Sequence, residues 1–263
     1  MRAPLFQLDA FTTRPFAGNP AAVMPLERFA PDEVLQALAA ENNLAETAFL
    51  VREGGDYRLR WFTPATEVPL CGHATLASAA VVMERLEPGR RTVVFHSASG
   101  PLTVRREDSL YVMDFPSRPA APMQSSPELT SALGVAPLEL LANEWTYLAV
   151  LDSVPVLRAL KPDMSAVARL DRGSVIVTAA GEGGYDFLSR FFAPAKGVPE
   201  DPVTGSAHCV LVPYWSRRLG KQRLHAFQAS RRGGELHCRD LGERVELAGQ
   251  CGFYLEGHAE LPL

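Results

Sequence analysis

A glutamate, a histidine and an aspartate beside two glycine-led turns are the residues of this chain whose types and spacing can do chemistry. Glu46 lies in Leu44-Ala45-Glu46-Thr47-Ala48-Phe49, where a charged residue opens an otherwise apolar strand. Burial there would raise its pKa toward the working range of a general acid/base; on a strand edge it would be an ordinary solvated residue. His73 and Ser206 follow Gly72 and Gly205 at matched positions. A glycine that opens a helix borders free N–H groups and the positive end of the helix dipole, which together receive an anion such as a carboxylate. In a helix without a ligand the same serine is a cap and the same histidine a polar first-turn residue. Asp201 stands just ahead of the second turn, where an aspartate either contacts a ligand or forms the turn through its own side chain.

A segment that occurs twice positions these residues. Arg60-Trp-Phe-Thr-Pro-Ala-Thr-Glu-Val-Pro69 returns as Arg190-Phe-Phe-Ala-Pro-Ala-Lys-Gly-Val-Pro199, an offset of 190 − 60 = 130 that keeps Arg, Phe, Pro, Ala, Val and Pro in register. The first copy runs through Leu70-Cys71 into Gly72-His73-Ala74. The second runs through Glu200-Asp201-Pro202-Val203-Thr204 into Gly205-Ser206-Ala207, so Asp201 is read as entering with a charged insertion. Each copy reads as an aromatic strand, a Pro-bounded turn and a helix opened by glycine. Two such units predict two similar domains, with two facing helix starts as a clamp for a carboxylate.

Around these segments, strands are expected near 3–10 and 20–25 about the Gly18-Asn19-Pro20 turn, a helix over 31–40 with Pro31 at its start, and a hairpin of strands 47–52 and 56–63 about Gly54-Gly55. A helix from His73 to about Arg85 and strands near 91–96, 101–105 and 110–115 complete the first half. The Pro-rich stretch 116–122 is the best linker in the chain. The halves are therefore set at 1–117 and 118–263, with the final strand, about 254–263, free to return to the first. The second half carries a helix near 127–133, strands near 145–151, 174–180 and 185–192, a helix from Gly205, and closing strands. Pro213 should kink that helix or end it early. Mixed strands around one long helix per half make an α+β fold.

Composition excludes other classes. With 26 Lys+Arg against 30 Asp+Glu the net charge is −4, and no basic run exceeds pairs such as Arg217-Arg218; nucleic-acid binding is not expected. The longest apolar stretch is far short of the roughly 20 residues of a membrane span, and Asp9 interrupts the N-terminal apolar segment, unlike a signal peptide. A soluble, cytoplasmic protein is expected. The four cysteines show no CxxC spacing, so reduced thiols are expected, and the His208-Cys209 and His237-Cys238 dipeptides lack the paired spacing of a structural zinc site. Gly181-Glu-Gly-Gly184 lacks the spacing of a phosphate loop. Neither a metal nor a cofactor is called for.

The motifs resemble a known family. Gln7-Leu-Asp-Ala-Phe11 with Gly18-Asn19-Pro20, Asn43-Leu-Ala-Glu-Thr-Ala-Phe49, Cys71-Gly-His-Ala-Thr75 and Asp201-Pro-Val-Thr-Gly-Ser-Ala207 are similar, in order and over nearly the whole chain, to the PhzF-like (phenazine biosynthesis) isomerases. The resemblance implies the two-domain fold of diaminopimelate epimerase and proline racemase, two pseudo-symmetric halves each a small barrel-like sheet on a central helix, an active site in the cleft between them, and a homodimer. It implies Glu46 as the proton shuttle, Asp201 and His73 with it as catalytic residues, and Gly72, Gly205 and Ser206 as substrate-binding residues. The two-cysteine racemases of this fold carry a thiol at each helix start; here Cys71 precedes Gly72 but Thr204 precedes Gly205. A threonine hydroxyl has no accessible pKa for that role, and Cys71 is read as packing under its turn. The expected activity is a cofactor-independent isomerisation, Glu46 moving a proton within a small, carboxylate-bearing, cyclic unsaturated substrate. The alternative is a non-catalytic small-acid-binding or scaffold protein on the same fold.

Overall fold

The computed structural model describes residues 2–261. The chain divides into two compact units, one of Met1–Asp114 with Ala248–Leu263 and one of Phe115–Leu247. The Pro-rich stretch lies inside the second unit from its first residues on.

The first unit runs β1 (Arg2–Ala10), β2 (Asn19–Leu26), α1 (Asp32–Asn42), β3 (Glu46–Glu53), β4 (Asp56–Phe62), β5 (Glu67–Val68), α2 (Gly72–Val81), β6 (Thr92–Ser97), β7 (Gly100–Glu107) and β8, which starts at Leu110. Gly18 turns β1 into β2 at φ +64°, and a Cβ there would stand 2.2 Å from the Ala10 carbonyl oxygen, so only glycine fits. β2 pairs antiparallel with β1 and parallel with β3. The parallel pair requires a crossover, which α1 supplies. Leu35 and Ala39 of α1 pack with Met24, Phe49 and Phe62. Every residue of α2 from His73 to Val81 is buried, the signature of a helix surrounded by its own sheet rather than lying on a surface. A single π turn, Val82–Leu86, continues it without a break, so the helical segment reaches Arg85 as expected.

The second unit follows with β9 (Ala121–Pro122), α3 (Pro127–Leu133), β10 (Glu139–Ala142), β11 (Tyr147–Val150), α4 (Val154–Ala159), α5 (Met164–Arg169), β12 (Val175–Ala180), β13 (Phe187–Ala193), β14 (Val198–Asp201), α6 (Gly205–Leu219), β15 (Arg223–Gln228), β16 (Gly234–Asp240) and β17, which starts at Arg244. Parallel β11 and β12 are bridged by α4 and α5, two helices too short to show a period in the sequence. Their apolar faces close a core with Leu133, Val177, Leu188 and Phe192. The last strand, β18 (Cys251–Glu260), pairs along the whole of β1 and so belongs to the first unit.

Pro213 does not end α6, which continues to Leu219. A proline at this position removes the N–H that would bond the carbonyl of Cys209, four residues earlier. The Arg118 amide donates to that carbonyl at 2.9 Å. The vacated acceptor is thereby satisfied, and it ties the Pro-rich segment to the helix.

Strand register also corrects the repeat. In the first copy Trp61 pairs with Val68; in the second Phe191 pairs with Asp201. The offset has therefore changed from 191 − 61 = 130 to 201 − 68 = 133 before Asp201 is reached. The 133 − 130 = 3 additional residues lie in the turn that contains the short 3₁₀ segment Pro194–Lys196, and Glu67-Val68-Pro69-Leu70-Cys71-Gly72 aligns with Glu200-Asp201-Pro202-Val203-Thr204-Gly205. Asp201 is thus a strand residue in the place of Val68, not part of an insertion. The arginines confirm it: Arg60 donates through Nε and Nη2 to Glu67, and Arg190 does the same to Glu200.

Candidate active site

In the first unit, Asn43 ends α1 in the left-handed conformation and turns the chain into β3, whose first residue is Glu46. Cys71, in extended conformation, precedes α2, and His73 is the second residue of the helix. Glu46 Oε2 lies 3.2 Å from His73 Nε2, with the two side chains 18% and 8% exposed. His73 Nδ1 lies 3.5 Å from Cys71 Sγ. The Glu46–His73 contact is close but poorly aligned, since neither buried atom has a well-directed hydrogen bond. Each therefore keeps capacity for a further partner.

The charges follow from this packing. Burial is the largest single influence on Glu46 and pushes its pKa up, but the His73 charge and the close polar approach of His73 and Cys71 together outweigh it, so the carboxyl is held below its ordinary value of 4.5. This reverses the expectation that burial would prevail. Burial likewise opposes the charged form of His73, yet its neighbours hold it well above the ordinary imidazole value. Burial, with the Glu46 charge behind it, pushes the Cys71 thiol up. Cys71 is therefore a thiol at neutral pH, and Cys71 and Glu46, in that order, are the neighbours that raise His73. The set is an imidazolium between a carboxylate and a thiol.

Glu46, Cys71 and His73 each bring one donor atom within 4.8 Å of the others. A single ion would need one imidazole nitrogen to converge with the other two ligands. Here Nδ1 faces the sulfur and Nε2 the carboxylate, so the ring bridges its neighbours as a proton relay does. Thr75 takes the Cys71 carbonyl through both its amide and its hydroxyl, which fixes the turn that carries Cys71.

In the second unit Asp201 ends β14, and Thr204 precedes α6. The Thr204 hydroxyl donates to Asp201 Oδ2 at 2.5 Å and accepts from Gln228 Nε2 at 3.0 Å. Gln228 Nε2 also donates to the Asp201 carbonyl at 2.8 Å, and Gln228 Oε1 accepts the Thr204 amide at 2.8 Å. Gln228 is fully buried. It clamps the Asp201–Thr204 turn from a strand 24 residues away in sequence, and the sequence reading did not single it out; its only local signal is a polar residue closing an alternating strand. Ser206 is exposed on the first turn of α6 and Gly205 is partly exposed. A Cβ on Gly205 would make only an ordinary contact, 3.7 Å from a Leu247 methyl, so packing within the unit does not require glycine there. Neither α2 nor α6 has a side-chain cap at its start, which leaves the first-turn amides of both to other acceptors.

The structure thus groups Glu46 and His73 with Cys71 in the first unit, and Asp201 with Thr204 and Gln228 in the second, beside Gly205 and Ser206. A family model described as phenazine biosynthesis-like protein, PhzC-PhzF, matches residues 8–257. The chain belongs to the PhzC-PhzF family. This PhzF-family chain is 52% identical over 262 residues to an uncharacterized isomerase of Pseudomonas aeruginosa, covering 99% of itself and 100% of that protein. Among solved structures, a phenazine biosynthesis protein of the PhzF family from Enterococcus faecalis matches with a TM-score of 0.97 at 44% identity, over 99% of this chain and 100% of that one. A hydroxyproline epimerase from Agrobacterium vitis, only 10% identical, matches at a TM-score of 0.61 over 98% and 92% of the two chains. The fold is accordingly the α+β epimerase fold, in its PhzF form.

Proposed function

We propose that this PhzF-family protein is an isomerase that moves a proton within a small, carboxylate-bearing, cyclic unsaturated substrate, with Glu46 as the general acid/base and no cofactor. The observation that carries the reading is the contact of Glu46 Oε2 with His73 Nε2, two buried atoms 3.2 Å apart whose hydrogen-bonding capacity is incompletely used. Held ionised by the imidazolium, Glu46 is a base that needs no prior deprotonation. It takes a proton from an activated carbon, His73 compensates the change of charge beside it, and the same carboxyl returns the proton at a second carbon. Asp201 contacts the substrate, and the uncapped amides at Gly72-His73 or Gly205-Ser206 receive its carboxylate.

A two-thiol racemase mechanism is disfavoured by Thr204, whose hydroxyl proton is committed to Asp201. The isomerase names of close relatives support the reaction class. The family resemblance extends the reading to a cytoplasmic homodimer, which light scattering and cell fractionation test. The deciding experiment incubates the protein in D₂O with a panel of cyclic unsaturated carboxylates. The reading expects solvent deuterium in at least one of them with wild type and none above background with Glu46→Gln; binding without exchange across the panel would leave a small-acid-binding protein instead.

A further inference from the structure

The second unit differs from the first where the first places its acid/base pair. Thr47 pairs with Phe62 in β4, and Val175 pairs with Phe192 in β13. The two phenylalanines are equivalent at the offset of 130, so Ser174 stands in the place of Glu46, as Ser206 does in the place of His73. Ser174 is buried and donates to the Trp145 carbonyl at 3.0 Å. Neither hydroxyl can serve as an acid/base near neutral pH as a carboxylate or an imidazole does.

In this position the second unit has a cavity of about 110 Å³, whose lining includes Arg118, Asn143, Trp145, Ser174, Lys196 and Ser206. That is several times the roughly 10–15 Å³ that admits one water. The Arg118 guanidinium lies 4.2 Å from the centroid of the Trp145 ring. Lys196 ends the 3₁₀ segment in the longer turn of the second copy, so the three additional residues are part of what brings a cation to the cavity. Among the described residues, neither Arg118 nor Lys196 has a carboxylate within 4.0 Å. The wall is fixed before any ligand arrives. The Arg118 amide is held by the Cys209 carbonyl, its carbonyl accepts from Asn143 Nδ2 at 3.2 Å, and Asn143 Oδ1 accepts the amides of Trp145 and Thr146 at 3.0 and 3.1 Å.

Two cations without acidic partners on a small, preformed cavity of mixed lining are a receptor for an anion, with the planar guanidinium, stacked on an indole, suited to a carboxylate or phosphate face. We infer that Arg118 and Lys196 bind an anionic group, carboxylate or phosphate, of the substrate. The assignment of that group to the substrate rests on the isomerase reading; the pocket itself does not.

The test uses the full chain and small anions. Trp61 and Trp215 are each 1% exposed and Trp145 is 46% exposed, so tryptophan fluorescence reports on this wall. Inorganic phosphate and malonate are titrated separately, followed by fluorescence and calorimetry, against sodium chloride at matched ionic strength. The expected result is saturable binding beyond the chloride control, weakened about tenfold or more in Arg118→Gln and in Lys196→Gln and unchanged in Glu46→Gln. Tighter phosphate assigns a phosphate group and tighter malonate a carboxylate. Lys196 is exposed on its turn, so its variant reports even if Arg118→Gln disturbs Trp145. Absence of saturable binding in both titrations, or wild-type constants in the two cation variants, overturns the pocket. Absence of deuterium exchange in wild type with intact titrations counts against the isomerase reading alone, and exchange in wild type without saturable anion binding counts against the pocket alone.

Discussion

Glu46 and His73 are 27 residues apart in sequence and 3.2 Å apart in space, carboxylate against imidazolium. Each sets the ionisation of the other, and that mutual dependence makes the site testable residue by residue.

Glu46→Gln preserves size while removing the proton acceptor. Turnover of any substrate found by the exchange screen should fall at least about a hundredfold, the low end of what a positioned acid/base contributes, with the unfolding midpoint near that of wild type. Cys71→Ala, by contrast, removes a buried thiol that touches the remote nitrogen of His73. It should cost on the order of 1 kcal/mol of stability and less than tenfold in rate. An inactive, folded Cys71→Ala would restore the thiol to the mechanism.

Replacing His73 by Asn should move the acidic limb of the pH–rate profile upward. With the imidazolium present Glu46 is held below 4.5; without it, burial prevails and the limb should rise above that value. Stability provides a second readout. The lowered Glu46 contributes stability above pH 4.5 that is lost as pH falls through its folded pKa, and the raised His73 contributes stability below pH 6.5 that is lost as pH rises through its folded pKa. The stability difference between wild type and His73→Asn should therefore peak between those values, and a difference that grows steadily above pH 7 would contradict the pairing.

Gln228→Leu should be severely destabilising for a single polar substitution. It strands the buried Thr204 amide away from water, at about 1–3 kcal/mol for a group left unpaired. Thr204→Val separates structure from function more gently. It removes the hydroxyl that orients Asp201, so catalysis should drop while the fold persists, and Thr204→Ser should restore it.

His208 supplies an acid-sensitive element apart from the acid/base pair. It is fully buried, burial pushes it down to about 4, and its Nδ1 makes a 2.8 Å hydrogen bond with the Thr204 carbonyl. An unfolded chain takes up this proton near pH 6.5 and the folded one only near 4, so unfolding captures a proton in that window and stability falls as pH is lowered, by about 3 kcal/mol in all. Denaturant titrations of His208→Gln should show that slope between pH 6.5 and 4 reduced by one proton.

Much of this protein is local in origin and so is legible in its amino-acid order. The β1–β2 turn at Gly18, the β3–β4 hairpin at Gly54, the proline before α1 and the glycine-led starts of α2 and α6 each depend on the conformational limits of a few adjacent residues. The α+β class follows from their succession, and the family from the motifs they carry. The tertiary structure decided what depends on distant partners. Matching Pro199 to Pro69 by letters misplaced the three additional residues, because pairing of Phe191 with Asp201 is a matter of strand register. Pro213 is tolerated because an amide 95 positions earlier (213 − 118) takes the carbonyl it vacates. Burial of Glu46 was foreseeable from its apolar strand, but the direction of its pKa was not, since Coulomb energy depends on distance through space and only the fold brings His73 within 3.2 Å of it.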